Sequence, residues 1–416
     1  MATLDRPQLR PLSGRRVEHL GRSYLALTDP LGAFRDAVLI PAATFQQVVR
    51  HFDGRSTIDQ ICGQVERLTG SRPAAAEVRA LVEDLDRRLV LDGPAFASYV
   101  ADYAREPVRP SAFAGRSYPA DRARLRAELD RTFADPGGAG RSPSIGRDAS
   151  IPLRGVLSPH IDFGRGGATY SWAYRELAER SDAETFVILG VAHQPCRRRF
   201  ALTRKDFETP LGLARTDRGF VDRLAEGEGS AWFDDELAHR SEHSIEFQVV
   251  YLQHVLAGRR DFSIVPILVG SFQDLMRGEV DPIRDGEVRR MVEALRAAEA
   301  ASGRKVAYVG GIDLCHVGPE FGDPGRVDDA LLGRVRDFDG AMLDRAVALD
   351  PLGWFERAAR VENRYRVCGL AATYTMLHAI GPGAGRLLRY DQAVDPGRTC
   401  CVSFASVAFD GPGPPP

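Results

Sequence analysis

Five short, almost wholly apolar runs, Gly155–Ser158, Thr185–Gly190, Ser263–Leu268, Val306–Gly310 and Cys401–Phe409, constrain this chain more than any other feature. Each is too short to be a helix, and helical-length stretches separate them. Strands that alternate with helices and carry no polar face are buried on both sides. The pattern predicts an α/β fold with a mainly parallel central sheet flanked by helices, starting near Phe113. In such sheets ligands sit just past the carboxyl ends of the strands. The Gly/Pro/Ser-rich stretch Asp135–Ser150 reads as a solvent-exposed loop, and no internal repeat is present.

The first hundred residues follow a different rhythm. Extended segments near Ser23–Thr28 and Ala37–Pro41 precede two helical stretches. The first runs from about Ile58 to Thr69, entered through the Asp53-Gly54 turn with Ser56 or Thr57 as N-cap. After a break at Gly70-Ser71-Arg72-Pro73, residues Val78, Leu81, Val82, Leu85 and Leu89 recur at helical spacing. Leu89-Val90-Leu91 then reads as a strand. Helix, turn, helix, strand is the order of a small winged-helix α+β domain. The expected division is 1–100 for this module, 101–112 for a linker and 113–416 for the α/β domain.

Charge decides what such a module can bind. Residues 1–100 hold 13 arginines against 8 aspartates and 4 glutamates, a net of +1, too little for phosphate-driven binding. The second helix carries Glu77, Glu83, Asp84 and Asp86 where base contacts would lie. No nucleic acid is therefore expected, and peptide docking or packing is the alternative. The whole chain is near neutral at −2, which gives no field for an anionic membrane. With no apolar targeting segment and no run of about 18 apolar residues, a cytoplasmic protein without membrane contact is expected. The six cysteines include no CxxC pair, so reduced thiols are the default. Arg197-Arg198-Arg199 reads as a solvated face.

Four of the nine histidines fall at strand ends or in the loops that follow: His160, His193, His243 and His316. Each alone is more often structural; their coincidence is the signal. Cys368 precedes Gly369 at the start of a helical stretch, where the helix dipole is expected to lower a thiol pKa. A thiolate, two neutral imidazoles and open positions suit iron or copper, or zinc held catalytically.

The blocks AGRSYPAD, SPHIDFGRGG, VILGVAHQP, TPLG, HRSEHSIEFQ, IVPILVG, GIDLCHVGPEFG, VCG and LLRYDQAVD, followed by SFASVAF, resemble the MEMO family in order and over about 300 residues. The family includes the B protein of AmmeMemoRadiSam systems and is related in fold to class III extradiol dioxygenases. The resemblance implies a mononuclear site, Fe(II) first with copper or zinc as alternatives, held by His160, His193 and Cys368. It implies His316 as acid/base, Asp313 as the group that orients it, and Glu242 and His243 as pocket wall, with His243 a further catalytic candidate. FDGRSTIDQICGQV and LVEDLDRRLVLD resemble PqqD-like modules, which hold leader peptides. Together these imply a non-haem oxidoreductase of dioxygenase type that modifies a recruited peptide or a small molecule, with radical-SAM or other peptide-modification partners. Two other readings stay open: a non-catalytic metal- and partner-binding protein, and hydrolysis by a metal-bound hydroxide.

The chain departs from the family pattern in two places. Where PHAGY is usual it reads Pro159-His160-Ile161-Asp162-Phe163, so Asp162 either supports the ligand from behind or is a solvated loop residue. The usual SSD is Gly311-Ile312-Asp313, without hydroxyls. Cys315 is expected to be a small buried residue, His239, His254 and His378 to be structural, and Cys400-Cys401 to belong to the core.

Overall fold

The computed structural model describes residues 4–144, 153–227, 231–256, 258–278 and 280–412. It divides into two compact units, Met1–Glu106 and Pro107–Pro416. The stretch 101–112, expected as a linker, is built otherwise. Helix Pro94–Arg105 runs through its first half, and Val108–Arg109 is a short strand of the large unit.

In the small unit an antiparallel sheet of Ser13–His19, Arg22–Thr28 and Val38–Pro41 precedes the helices. Leu20 and Gly21, with φ of 49° and 72°, form the tight turn of its first hairpin. Ile58–Thr69 is a helix as expected. Thr57 caps it in a reciprocal box with Gln60, and Gly70 ends it in the left-handed region at φ 76°. Ala75–Arg87 packs against it through Val78, Val82 and Leu85 onto Ile61 and Val65. The strand expected at Leu89–Leu91 does not form: Leu89 turns to φ 61°, and Leu91 makes only an isolated bridge to Leu9.

The large unit is built on an 11-stranded sheet. Its centre is parallel, in the order Leu153–Ser158, Val306–Gly311, Thr185–Val191, Ser263–Val269. These are four of the five apolar runs, each extended by a residue or two. The fifth, Cys401–Asp410, pairs antiparallel with Leu153–Ser158 and carries Ala384–Val394 on its other side. Two glycines show how both faces are covered. A Cβ at Gly310 would press on Leu157 and Met376, whereas one at Gly311 would lie 2.4 Å from the Ser244 carbonyl oxygen. Consecutive residues face opposite sides of a strand. Helix Leu370–Ile380 therefore covers one face and helix His243–Leu256 the other.

The loop after Asp135 is less exposed than expected. Ala139 is buried, its N–H donates to Ser171 Oγ at 2.9 Å, and the Trp172 indole donates to the Gly137 carbonyl. Residues 145–150 of that stretch lie outside the described residues. Among the described residues no helix is long and apolar enough to cross a membrane.

Arg109 and Glu246, both fully buried, form an ion pair that pins the entry strand to helix His243–Leu256. Arg109 also donates to the carbonyls of His239 and Glu242, each at 2.7 Å. Glu246 accepts from the N–H groups of Ala112 and Phe113 and from the Tyr118 hydroxyl. Breaking a buried pair leaves a charge without compensation and costs about 3–5 kcal/mol, whereas an exposed pair is worth about 0–1 kcal/mol. Glu246→Gln is expected to lower stability by the larger amount in denaturant titration and Asp59→Asn, at the exposed Arg72 pair, by the smaller. Equal losses would show that the Arg109 pair anchors nothing.

Candidate metal centre

Neighbouring strands deliver the site. His160 lies two residues beyond Ser158, His193 two beyond Val191 and Asp313 two beyond Gly311, all at the carboxyl edge. His243 opens its helix, and Cys368 stands two residues before helix Leu370–Ile380. Gly369 has to be small there, because a Cβ would lie 2.5 Å from Ile312 Cβ. The sequence thus brings distant turns to one place.

His160, His193 and His243 offer donor atoms all within 4.8 Å of one another. Their rings lie 4.8–5.1 Å apart by centroid. His160 Nδ1 is 2.9 Å from the Gly311 carbonyl, which fixes the proton on Nδ1. His193 Nδ1 lies 3.1 Å from both Glu242 oxygens, and His243 Nδ1 3.1 Å from Glu242 Oε1. In all three rings Nε2 is the nitrogen left for a ligand. A metal-binding imidazole is typically held in this way, its other nitrogen donating to a carbonyl or carboxylate. The donor set therefore fits a metal ion.

Glu242 is buried and organises two of the three rings. Its carboxylate also accepts the backbone N–H groups of His193, His243 and Ser244 at 2.8–3.1 Å, so it caps the helix that His243 begins. Burial disfavours its charge, but His193 and His243 outweigh that and hold its pKa well below the usual carboxylate range. Burial likewise opposes charge on His193, where Glu242 and the Cys368 sulfur prevail and hold the pKa well above the ordinary value. His160, fully enclosed and facing two other imidazoles, is kept neutral. His193 and His243 side chains are 33% and 29% exposed against 2% for His160, so the site opens on their side.

The Cys368 sulfur lies 3.4 Å from His160 Nε2 and 3.5 Å from the Asp313 carbonyl oxygen. Its pKa corrects an expectation: burial pushes the thiol up and prevails over the lowering expected at a helix start. The role expected of Asp313 also changes. It accepts the N–H groups of His160 at 2.9 Å and Ile161 at 3.3 Å, so it holds the His160 turn and makes no hydrogen bond to His316. Burial raises its pKa to about 6. His316 is oriented by two carbonyls, Leu314 and Arg366, each 3.1 Å from Nδ1. Burial lowers its pKa to about 4.

Other residues settle as structure. Asp162 caps helix Phe163–Arg180 and pairs with Arg165, neither backing the metal site nor merely solvated. Cys315 is buried with its thiol 3.0 Å from Asp339, and Cys400 and Cys401 are buried as well. His239 donates from Nε2 to the Ala201 carbonyl, His254 meets Asp130, and His378 packs on Tyr374. The capping role of Glu242 and the anchoring roles of Ser244, Glu246 and Gln248 were not read from sequence; the run EHSIEFQ was the available signal. Ser244 Oγ bonds both backbone groups of Val191, and Gln248 donates to the Pro159 carbonyl at 2.7 Å. One helix thereby holds the loops of His193 and His160.

Residues 109–408 match the sequence model of a Memo-like protein. The chain belongs to the MEMO family. A MEMO1 family protein of Methanopyrus kandleri is 30% identical over 309 residues, covering 72% of this chain and 98% of its own. One from Pyrococcus furiosus is 31% identical over 73% of this chain and 99% of its own. A MEMO1 family protein of Aquifex aeolicus is 23% identical over 389 residues, 92% of this chain and 94% of its own. An alignment that long necessarily takes in part of the small unit, beyond the Memo-like residues.

If Glu242 orients the MEMO-family imidazoles, Glu242→Gln should weaken metal binding about 10- to 100-fold. Competition titration with a chelator on folded protein measures it. An unchanged affinity would reduce Glu242 to a helix cap.

Proposed function

We propose that the large unit is a metal-dependent oxidoreductase of the non-haem type, its mononuclear site formed by His160, His193 and Cys368 with His243 as a further imidazole donor. One observation carries this reading: donor atoms of His160, His193 and His243 lie within 4.8 Å of one another at a strand-edge opening, each ring held through Nδ1, with the Cys368 sulfur 3.4 Å from His160 Nε2. Soft sulfur with imidazole favours iron or copper over magnesium or calcium, and Fe(II) is the ion proposed here. Such an ion would supply electron transfer and open positions for substrate or dioxygen, whereas zinc would supply Lewis acidity or a bound hydroxide but no electrons.

The residues divide the remaining work. Burial of His160 keeps it in the neutral form that a ligand requires, whereas His193, held above its ordinary pKa by Glu242, has to release its proton to bind an ion. Asp313 holds the turn that aims it. His316 is neutral at pH 7, with its proton fixed on Nδ1, so Nε2 accepts a proton from substrate. The exposed flank at His193 and His243 is where a peptide or small molecule enters. The small unit supplies peptide docking: Ser13–His19 is paired on one side only, and its free edge suits strand addition.

Metal analysis of protein purified without oxygen, followed by Fe(II) loading and measurement of oxygen uptake and peptide mass, tests the reading. The oxidised metal form should show a sulfur-to-metal charge-transfer band that Cys368→Ser abolishes with loss of metal, while Cys315→Ser keeps both. A Cys368→Ser protein that binds metal as the parent does would remove the thiolate from the site. His316→Ala should retain metal and lose about 10² to 10⁴ in turnover; loss of the metal instead would make His316 a ligand. Binding of the full chain to a leader-type peptide, with no marked affinity for duplex DNA at physiological salt, is expected, and the opposite result ends the docking assignment.

A further inference from the structure

The segment that delivers Cys368 is conformationally strained and wired to His316. Glu362, Asn363 and Arg366 take φ of 50°, 49° and 54°, a left-handed conformation disfavoured for residues with a side chain. Hydrogen bonds hold the strain in place. Asn363 Oδ1 accepts the Val367 N–H at 2.9 Å, and the Arg366 N–H donates to the Asn363 carbonyl at 2.8 Å. The left-handed turn lays the Arg366 carbonyl against His316 Nδ1 at 3.1 Å, and the Tyr365 carbonyl accepts the His316 N–H at 2.8 Å. The Arg366 guanidinium then turns back, donating to the His316 carbonyl at 3.2 Å and to both Asp323 oxygens at 2.7 and 3.1 Å. Asp323 in turn accepts the Gly318 N–H at 2.9 Å. Arg366 thus grips His316 at ring and backbone, and stands two residues from Cys368.

We propose that Arg366 is a positioning residue: with Asp323 it fixes the His316 ring as the Nδ1–H tautomer and couples that ring to the segment bearing Cys368. This rests on the reading of His316 as proton acceptor for its purpose, but not for its observable. The competing explanation is the Leu314 carbonyl, also 3.1 Å from Nδ1, which alone could hold the tautomer. The pairing with Asp323 is only partly shielded, so geometry and not a buried charge is what Arg366 contributes.

The test uses the full, metal-free chain labelled with ¹⁵N-histidine, in which ring nitrogen shifts report tautomers. The parent should show His316 protonated on Nδ1 and bare on Nε2. Arg366→Gly, which fits the left-handed turn but lacks the guanidinium, and Asp323→Asn should both shift His316 toward a mixture of tautomers, with thermal unfolding near that of the parent. Arg366→Lys should restore much of the parental signal. A His316 tautomer unchanged in Arg366→Gly and Asp323→Asn overturns the proposal and leaves Leu314 as the holder. Altered tautomers combined with turnover equal to the parent would keep Arg366 as the positioning residue and remove the proton-accepting role of His316. Should Arg366→Gly unfold, Asp323→Asn decides alone.

Discussion

The contact on which the site depends is that between the buried Glu242 carboxylate and the imidazoles of His193 and His243. A carboxylate out of water is costly unless its lone pairs are met. Here two ring N–H groups and three backbone N–H groups meet them. The arrangement works only if the helix begins at residue 243 and the His193 turn abuts it. Ser244, Glu246 and Gln248 enforce that position by bonding the Val191 backbone, Arg109 and the Pro159 carbonyl in turn. Every second residue from Ser244 to Gln248 therefore fixes a different strand end.

How far the sequence could be read follows from the range of these contacts. The parallel strands were legible because they are buried on both faces and so carry unbroken apolar runs. Ala384–Val394 was not, since its residues are half-exposed and mix arginine and leucine at the sheet edge. His160 and His193 were legible as candidates because each follows such a run within two or three residues, whereas Asp313 was named through the family resemblance alone. The partnership of Glu242 with His193 spans 49 positions and that of Arg109 with Glu246 spans 137. No local pattern announces either, which is why 101–112 read as a linker and His243 as a wall or catalytic residue and not as a ligand.

The thiol shows where a local rule loses to its surroundings. A helix start favours negative charge by a few tenths to about 2 kcal/mol, and that was the ground for expecting a lowered pKa at Cys368. Enclosure of the sulfur acts the other way and prevails, with His193 recovering only part of the loss. A thiol that keeps its proton in the metal-free chain must release it to become a thiolate ligand. The metal ion, not the helix, would then supply most of the charge compensation at Cys368.

The same reasoning separates the two ends of the site. His160 and Asp313 sit on the rigid parallel centre, where both strands are hydrogen-bonded on each side and the turns are locked by backbone donors. His316 and Cys368 sit on the antiparallel margin and on a left-handed loop, held by side chains that are themselves half-exposed. Geometry needed to select an ion tolerates little error, so it belongs on the rigid part. The Cys368 and His316 side chains are enclosed all the same, so this less regular margin is locked by hydrogen bonds, those of Asn363 and Arg366 among them, to meet the imidazoles held on the sheet centre.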